Sequence, residues 1–314
     1  MRILIAYDDS SCARAAIDDL KRAGLPQDGR ALVVSVVETL LPTAALPIDR
    51  IAVTTVSHRV AATLVQARAE TEQAVEEATT RAGEGVRRVH RLFQDWEVSM
   101  NPVAGTPSQA ILRKADDWRA DMIVVGSRGR SALGRLVLGS VSKQVASESS
   151  RTVRVARHVV AKSDAPIRLI VGVDGSIGAE AAIGAVRSRR WPPRTEVRVV
   201  AVDNTVRPTG TLQFVPTAAE WMSESNDEQL AKMRAMVDRA TDDLLAAGLF
   251  VSTRRVTGSP RDVLNGEAST WEADCIFVGA RGVMTDRSSA DAGLGSVATA
   301  LVSSAPCSVE ITRA

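Results

Sequence analysis

Aromatic side chains are scarce in this sequence, where Phe, Trp and Tyr make up only 3% of 314 residues. The charges nearly cancel, with 39 Lys and Arg against 37 Asp and Glu, and the two signs are mixed along the chain. Proteins that bind nucleic acids usually present a basic stripe, and those that bind single strands add aromatic side chains for stacking. We therefore expect no nucleic-acid partner.

Cysteines are also rare, and long apolar runs are missing. The three cysteines, Cys12, Cys275 and Cys307, lie far apart, which excludes a C-x-x-C pair and offers no disulfide framework. No apolar run approaches the roughly 20 residues that span a bilayer. The first residues are typical of a strand rather than a signal peptide. We expect a cytoplasmic protein with no membrane partner.

The sequence does contain an internal repeat. An apolar strand followed by an acid and a serine occurs at residues 3–10 and again at 169–176. A longer match joins residues 118–126 to 271–279, where Trp, Ala, Asp, Ile, Val and Gly recur in register. These matches predict two domains and a linker between them. The domains cover residues 1–157 and 167–314, and the linker covers 158–166.

Strands alternate with amphipathic helices in each copy, and several strands are apolar throughout. This pattern is typical of parallel sheets covered by helices on both faces. We expect an α/β fold of two tandem, doubly wound, parallel five-stranded sheets. Irregular excursions are predicted at 41–60 and 204–225, each followed by a long helix, the first at about 58–92. The final strands would expose sheet edges if unpaired, so the copies are predicted to pack as an intramolecular pseudo-dimer.

The chemistry of the first copy is concentrated after its fourth strand. The glycines there follow the pattern G-x2-G-x9-G-S, whose fixed positions are Gly126, Gly129, Gly139 and Ser140. Glycine lets a ligand approach the backbone, and a helix that begins at Gly-Ser presents free N–H groups to an anion. Three arginines add positive charge to this loop: Arg128, Arg130 and Arg135. The pattern predicts a phosphate-binding loop, in which a bulky residue at Gly126 or Gly139 should abolish binding and leave the fold intact.

Asp8 lies at the end of the first strand. If the first and fourth strands are neighbours, Asp8 faces the glycine loop, at the sheet edge where open α/β proteins bind ligands. It could there hold a ribose hydroxyl or a phosphate-bound Mg²⁺. The plainer alternative is a Gly/Ser turn in which Asp8 only caps the following helix.

Together these residues resemble the universal stress protein family in its tandem form, over nearly the whole chain. The G-x2-G-x9-G-S pattern is similar to the ATP-binding signature of that family's nucleotide-binding branch. The resemblance implies a Rossmann-like fold of the adenine nucleotide α-hydrolase type, and ATP with Mg²⁺ as the cofactor, with the Val36 backbone reading the adenine edge. The binding residues that it implies are Ala6, Asp8, Val36, Val125, Gly126, Arg128, Gly129, Gly139, Ser140, Val141 and Ser142.

The second copy departs from this pattern in one spacing. Twelve residues, rather than nine, separate its second glycine from its Gly-Ser pair, and the longer stretch contains Asp286 and Asp291. A longer loop costs more entropy to order, and nearby carboxylates repel phosphate, so this copy is expected to bind more weakly or not at all. Its candidate residues, at the corresponding positions, are Asp174, Val202, Gly279, Gly282, Gly295 and Ser296.

Two functions remain open. The first is a nucleotide-responsive stress or signalling module that binds ATP with little or no turnover, since no serine of the loop has a histidine near it in sequence. The alternative is an α/β enzyme that hydrolyses ATP or transfers adenylate, in which Asp8 and Mg²⁺ position the phosphates. An adenine nucleotide is the expected partner in both cases, and a homodimer of tandem chains is left open.

Overall fold

Within each repeat, strands alternate with helices over the described residues. A computed structural model describes residues 1–38, 58–129, 138–157, 165–203, 216–283 and 293–314. The strands of the first repeat are β1 (Arg2–Ala6), β2 (Arg30–Val37), β3 (Glu97–Ala104), β4 (Met122–Gly126) and β5 (Thr152–Ala156). Its helices are α1 (Ser11–Asp19), α2 (His58–Leu92), α3 (Pro107–Asp117) and α4 (Ser140–Glu148), with a short 3-10 turn at Leu20–Arg22.

The second repeat follows the same order. Its strands are β6 (Arg168–Val173), β7 (Glu196–Asp203), β8 (Phe250–Thr257), β9 (Cys275–Gly279) and β10 (Ser308–Thr312). Its helices are α5 (Ile177–Arg187), α6 (Pro216–Ala246), α7 (Pro260–Thr270) and α8 (Ser296–Ser304). Within the described residues, no helix combines the length and the apolar character needed to cross a membrane.

The long helices begin close to where the sequence predicts, with one correction. Helix α2 spans His58–Leu92, as predicted. The excursion predicted at 204–225 is too long, because α6 already begins at Pro216. Proline suits the first turn of a helix, where the missing N–H would have had no acceptor, and this start signal outweighs the polar composition that follows. The predicted linker at 158–166 lies outside the described residues except for its last two positions.

The chain forms two compact units whose limits differ from those of the repeats. The first unit comprises residues 1–18 and 27–145, and the second comprises 19–26 and 146–314. In the first unit the strand order is β3-β2-β1-β4, and the pairings of β1 with β2 and β4 and of β2 with β3 are parallel. In the second unit the order is β5-β10-β9-β6-β7-β8. The fifth strand of the first repeat therefore belongs to the second compact unit.

In each unit the strand order reverses beside the first strand of a repeat. Strand β1 lies between β2 and β4, and β6 lies between β7 and β9. Connections on the two sides of such a strand leave in opposite directions, which opens a crevice at the carboxyl ends of the strands. The crevice of the first unit is bordered by the residues after Ala6 and Gly126.

The final strands of the two repeats pair with each other inside the second unit. Strands β5 and β10 are antiparallel, with Arg154 directly opposite Glu310. This is the pairing that the exposed-edge argument predicts, whereas the wider packing of the repeats as a pseudo-dimer stays a prediction. Both side chains are fully buried and form an ion pair of 3.0 Å.

Two further charges complete this buried cluster. Arg154 Nε donates to Asp19 Oδ2 at 2.6 Å, and Arg189 pairs with both carboxylate oxygens of Glu310. The cluster contains two cations and two anions, so its charges balance. Ser308 also donates to Asp19 at 2.8 Å, which ties the short 19–26 segment to the sheet of the second unit.

Candidate functional site

A turn after β1 fixes the position of Asp8. Its Oδ1 atom accepts a hydrogen bond from the Ser10 amide at 3.1 Å, and the Ser10 hydroxyl accepts one from the Ala13 amide at 3.0 Å. Ser10 thereby satisfies an N–H group that the first turn of α1 leaves without an acceptor. The plainer sequence interpretation, in which Asp8 caps α1, is therefore wrong, because Ser10 is the cap. Asp8 supports the turn before the helix, and its Oδ2 atom lies towards the glycine loop.

Asp9, the next residue, has a left-handed backbone. Its φ is 61°, at a position where the second repeat has Gly175 with φ 87°. A residue other than glycine costs on the order of 1 kcal/mol in this conformation, and such strain clusters at functional sites. The Asp9 carboxylate accepts hydrogen bonds from the Tyr7 hydroxyl and from Arg14 Nη1, at 3.0 Å and 3.1 Å. Burial and the bond to Asp9 raise the pKa of Tyr7 well above its usual range, so the phenol stays protonated and donates.

The glycine loop after β4 lies directly beside Asp8. A Cβ atom on Gly129 would lie only 3.0 Å from Asp8 Oδ2, a separation tighter than an ordinary van der Waals contact. The carbonyl oxygen of Arg128 lies 3.5 Å from the Ser10 hydroxyl, at the limit of a hydrogen bond. Parallel pairing of β1 with β4 brings these segments together. The carboxylate and the glycine loop therefore form one site.

Helix α4 begins at this same site. The Gly139 amide donates to the Ser127 carbonyl at 2.9 Å, and the first intrahelical bond runs from the Lys143 amide to the Gly139 carbonyl at 3.0 Å. The amides of Ser140, Val141 and Ser142 precede that bond, so the helix itself offers them no acceptor. Such amides, together with the positive end of the helix dipole, attract anions.

Other candidate residues take supporting positions. Val125 and Ser142 are buried, and the Ser142 hydroxyl donates to the Gly126 carbonyl at 2.5 Å, which binds α4 to the end of β4. Ala6, the last residue of β1, pairs with Val34 on the neighbouring strand β2. Val36 is partly exposed near the carboxyl end of β2. Arg130 and Arg135 lie outside the described residues.

Gly126 lies in close contact with the backbone at the start of α1. A Cβ atom there would lie 2.8 Å from the backbone C and O atoms of Cys12, so strand β4 could not pack against the start of α1. A Cβ atom on Gly139 would meet Arg128 Cα at 3.4 Å, an ordinary contact. Neither glycine has a positive φ. For Gly126 this close contact argues against the expectation that a bulky residue leaves the fold intact, whereas for Gly139 that expectation stays a prediction.

Gly126→Ala and Gly139→Ala form a matched pair of tests. We expect Gly126→Ala to lower the free energy of unfolding by about 1–3 kcal/mol, because overpacking against a backbone forces the helix or the strand to shift. Gly139→Ala should change it by about 0.5 kcal/mol or less. Urea denaturation followed by circular dichroism measures both. Equal stability of the two variants would contradict the packing role of Gly126.

The second repeat builds the same frame. Asp174 Oδ1 accepts from the Ser176 amide at 3.0 Å, and a Cβ atom on Gly282 would clash with Asp174 Oδ2. The Gly295 amide donates to the Ala280 carbonyl at 2.8 Å, which matches the Gly139 bond in the first repeat. Despite the longer spacing, the Gly-Ser helix start of the second repeat is anchored at the corresponding carbonyl. Residues 284–292, which make up most of the longer spacing, lie outside the described residues.

The duplicated frame agrees with a duplicated sequence signature. The sequence profile of the Universal stress protein family matches residues 1–157 and, a second time, residues 168–313. The chain belongs to the universal stress protein family. The two matches correspond to the two repeats.

Individual relatives agree with this assignment. A universal stress protein of Thermus aquaticus is 32% identical over 155 residues, which cover 49% of this chain and 97% of that protein. One from Methanocaldococcus jannaschii is 33% identical over 64 residues, covering 20% of this chain and 38% of that protein. The crystal structure of a universal stress protein from Archaeoglobus fulgidus DSM 4304 matches with a TM-score of 0.61 and 19% identity. It covers 99% of this chain and 98% of that one, and shows the fold.

Solved universal stress proteins with ligands match less well. One contains cAMP and another, from Arabidopsis thaliana, contains AMP. They cover 48% and 47% of this chain, each with a TM-score of 0.30. Likeness at this level does not carry either ligand over to this chain.

In this universal stress protein the two sites differ at their rims. Ile177 in the second repeat is 58% exposed, where the first repeat has Ser11. Val283 is 44% exposed, and its amide donates to Asp174 Oδ2 at 3.1 Å. Ala298 replaces Ser142, so the hydroxyl bond that ties the helix to the strand end in the first repeat has no counterpart. The frame is shared, and the surrounding side chains are not.

Neither a protein-only metal site nor an activated thiol appears in the part of the chain that the structure describes. No three His, Cys, Asp or Glu side chains come together there in a metal-binding group. All three cysteines are buried and free. Burial raises the pKa of Cys275 well above its usual range and that of Cys307 to about 12, so neither thiol is reactive near neutral pH.

Proposed function

We propose that the first repeat binds ATP in the crevice between Asp8 and the start of α4. One observation carries this proposal: the Asp8 carboxylate, the close-approaching Gly129 and the Gly139 helix start lie together at the strand-order reversal. A glycine packed against a carboxylate, beside amides for which their own helix offers no acceptor, is the arrangement expected of a loop that binds an anion. This combination supports the recognition of a polyphosphate.

The proposed contacts divide between the phosphates and the sugar. The amides of Ser140, Val141 and Ser142 are placed to receive phosphate oxygens. Asp8 would hold a ribose hydroxyl, or a Mg²⁺ ion that also binds the phosphates. A single carboxylate is sufficient for the second role, because Mg²⁺ in nucleotide sites takes most of its ligands from phosphate and water. The Val36 backbone, on the neighbouring strand, would read the adenine edge.

We further propose that binding, rather than turnover, is the activity, so that the protein acts as a nucleotide-responsive stress module. Two serines near the crevice have structural roles: the Ser142 hydroxyl bonds to the Gly126 carbonyl, and Ser10, in the turn after β1, caps α1. His90 lies in the last turn of α2, far in sequence from both Asp8 and the glycine loop. A hydrolase with a serine nucleophile would need a base beside that serine.

The nucleotide content and the turnover rate test this proposal together. We expect protein purified without added nucleotide, then heat-denatured, to release adenine nucleotide that chromatography identifies as mainly ATP. We expect steady-state hydrolysis well below about one turnover per second, which is the low end for enzymes. Protein that is empty and also ignores added ATP would overturn the binding proposal. Multiple turnovers per second would favour the enzyme alternative.

A further inference from the structure

Two arginines occupy corresponding places directly after the final strands. Arg157 follows β5, and Arg313 follows β10. Arg157 Nη2 donates to the Val302 carbonyl in the last turn of α8 at 2.6 Å. Arg313 Nη2 donates to the carbonyls of Ala146 and Ser147 in the last turn of α4, at 2.7 Å and 3.2 Å. Each repeat thus sends an arginine to the C-terminal end of the other repeat's Gly-Ser helix, and all these contacts lie within the second compact unit.

These contacts are made at the C-terminal ends of the helices, where carbonyl groups have no hydrogen-bond donor within the helix. The last four carbonyls of an α-helix have no intrahelical N–H partner, and the dipole makes that end negative. A guanidinium there supplies both hydrogen bonds and positive charge. Helix α4 is nine residues long, which is below the length at which an isolated helix is stable in water. Its order therefore depends on tertiary contacts, which include those made at its two ends.

Arg313 is also linked to the glycine loop of its own repeat. The preceding residue, Thr312, accepts a backbone hydrogen bond from the Ala280 amide at 2.9 Å. Burial lowers the pKa of Arg313, and the nearby Arg281 lowers it further. Arg313 therefore lies between the Gly279–Gly282 loop of the second repeat and the end of α4.

We propose that Arg313 is a positioning residue for the ATP site of the first repeat, supplied by the second. It holds α4 from its C-terminal end, so that the amides at the start of the helix are already in place when phosphate arrives. This inference rests on the proposed function for its effect on ATP, and on geometry alone for its effect on α4. If α4 is ordered in only a fraction of molecules, the apparent affinity falls by that fraction.

Arg313→Met and Arg157→Met are the matched variants, since methionine keeps much of the apolar stem and removes the donors and the charge. Both are made with Asp174→Ala, which removes the Asp174 carboxylate from the second site, and are titrated with Mg-ATP by calorimetry. We expect Arg313→Met to raise the Kd about 3- to 10-fold, Arg313→Lys to restore most of the affinity, and Arg157→Met to leave the Kd unchanged. Equal weakening by both methionine variants would overturn the proposal.

Hydrogen exchange of the nucleotide-free protein separates this inference from the proposed function. Arg313→Met should speed exchange of the amides in α4 but not in α8, and Arg157→Met should do the reverse. Unchanged exchange in α4 would overturn the positioning role whatever the affinity for ATP. Failure of the parent protein to bind ATP would overturn the proposed function and the predicted change in Kd. If Arg313→Met does not fold, Arg313→Gln is measured in the same two ways.

Discussion

Glu310→Ala should cost about 3–5 kcal/mol of unfolding free energy, the effect expected when one partner of a buried ion pair is removed. Glu310 is fully buried and neutralises two arginines, Arg154 on the paired strand and Arg189. Without it, Arg154 keeps Asp19, and Arg189 keeps the Ala23 carbonyl at 3.0 Å. The variant would then bury two arginines with only one carboxylate, that of Asp19, to balance their charge. Urea denaturation followed by circular dichroism measures the loss.

Asp238→Ala is the control for that experiment. Asp238 forms an ion pair of the same kind with Arg255 at 3.0 Å, but the two side chains are 71% and 51% exposed. Exposed pairs contribute about 0–1 kcal/mol, because water screens them and two long side chains must be ordered. A loss for Glu310→Ala no larger than for Asp238→Ala would show that the buried cluster contributes no more than a surface pair.

Asp8→Asn should weaken Mg-ATP binding about 10- to 100-fold, because a hydrogen bond or metal contact made by a charged group is replaced by a neutral one. Asparagine keeps an oxygen that can accept from the Ser10 amide, so the turn into α1 is preserved. Calorimetric titration of Asp8→Asn beside the parent measures the change. Circular dichroism checks that the fold is unchanged.

Asp174→Asn is the matched change in the second repeat, and we expect it to leave one ATP bound per chain. The backbone frames of the two sites agree, so the predicted inequality rests on charge. In the first repeat, residues 126–143 run from the first glycine of the loop to the third residue after Ser140. They contain four basic side chains and no acidic ones. The corresponding stretch of the second repeat has two of each. A polyphosphate is attracted to the first and much less to the second.

Two findings would contradict this prediction of unequal sites. One is two equal ATP sites per chain in the parent protein. The other is loss of binding on changing Asp174 alone. Either would mean that the shared backbone frame, rather than the surrounding charge, decides the affinity.

The sequence predicts those features that depend on local pattern. The duplicated strand-turn-helix signature was sufficient to predict the adjacency of Asp8 and Gly129, because parallel strands that are neighbours end at the same edge. The start of α2 at His58 also follows from local pattern. These are short-range signals that tertiary packing reinforces.

Features that depend on distant contacts could not be predicted in this way. The close approach of Gly126 to Cys12 joins segments more than a hundred residues apart, and its pattern is the same as that of a ligand-binding glycine. The hydrogen bond from the Gly295 amide to the Ala280 carbonyl likewise joins the two ends of a long loop, and the number of residues in the loop does not determine where its ends lie. The one available signal for the buried cluster is a charged residue at the centre of each apolar final strand, Arg154 and Glu310.

The charges at the centres of β5 and β10 also limit which strands can pair with them. Arg154 and Glu310 occupy the same position in their repeats and lie opposite each other only when β5 meets β10. If β5 met the β5 of another chain in the same register, arginine would face arginine, and two β10 strands would bring glutamate against glutamate. Like charges directly opposite each other in a sheet are destabilising. Like-with-like pairing of these strands is therefore disfavoured by charge, and we expect any homodimer of these chains to form through another surface.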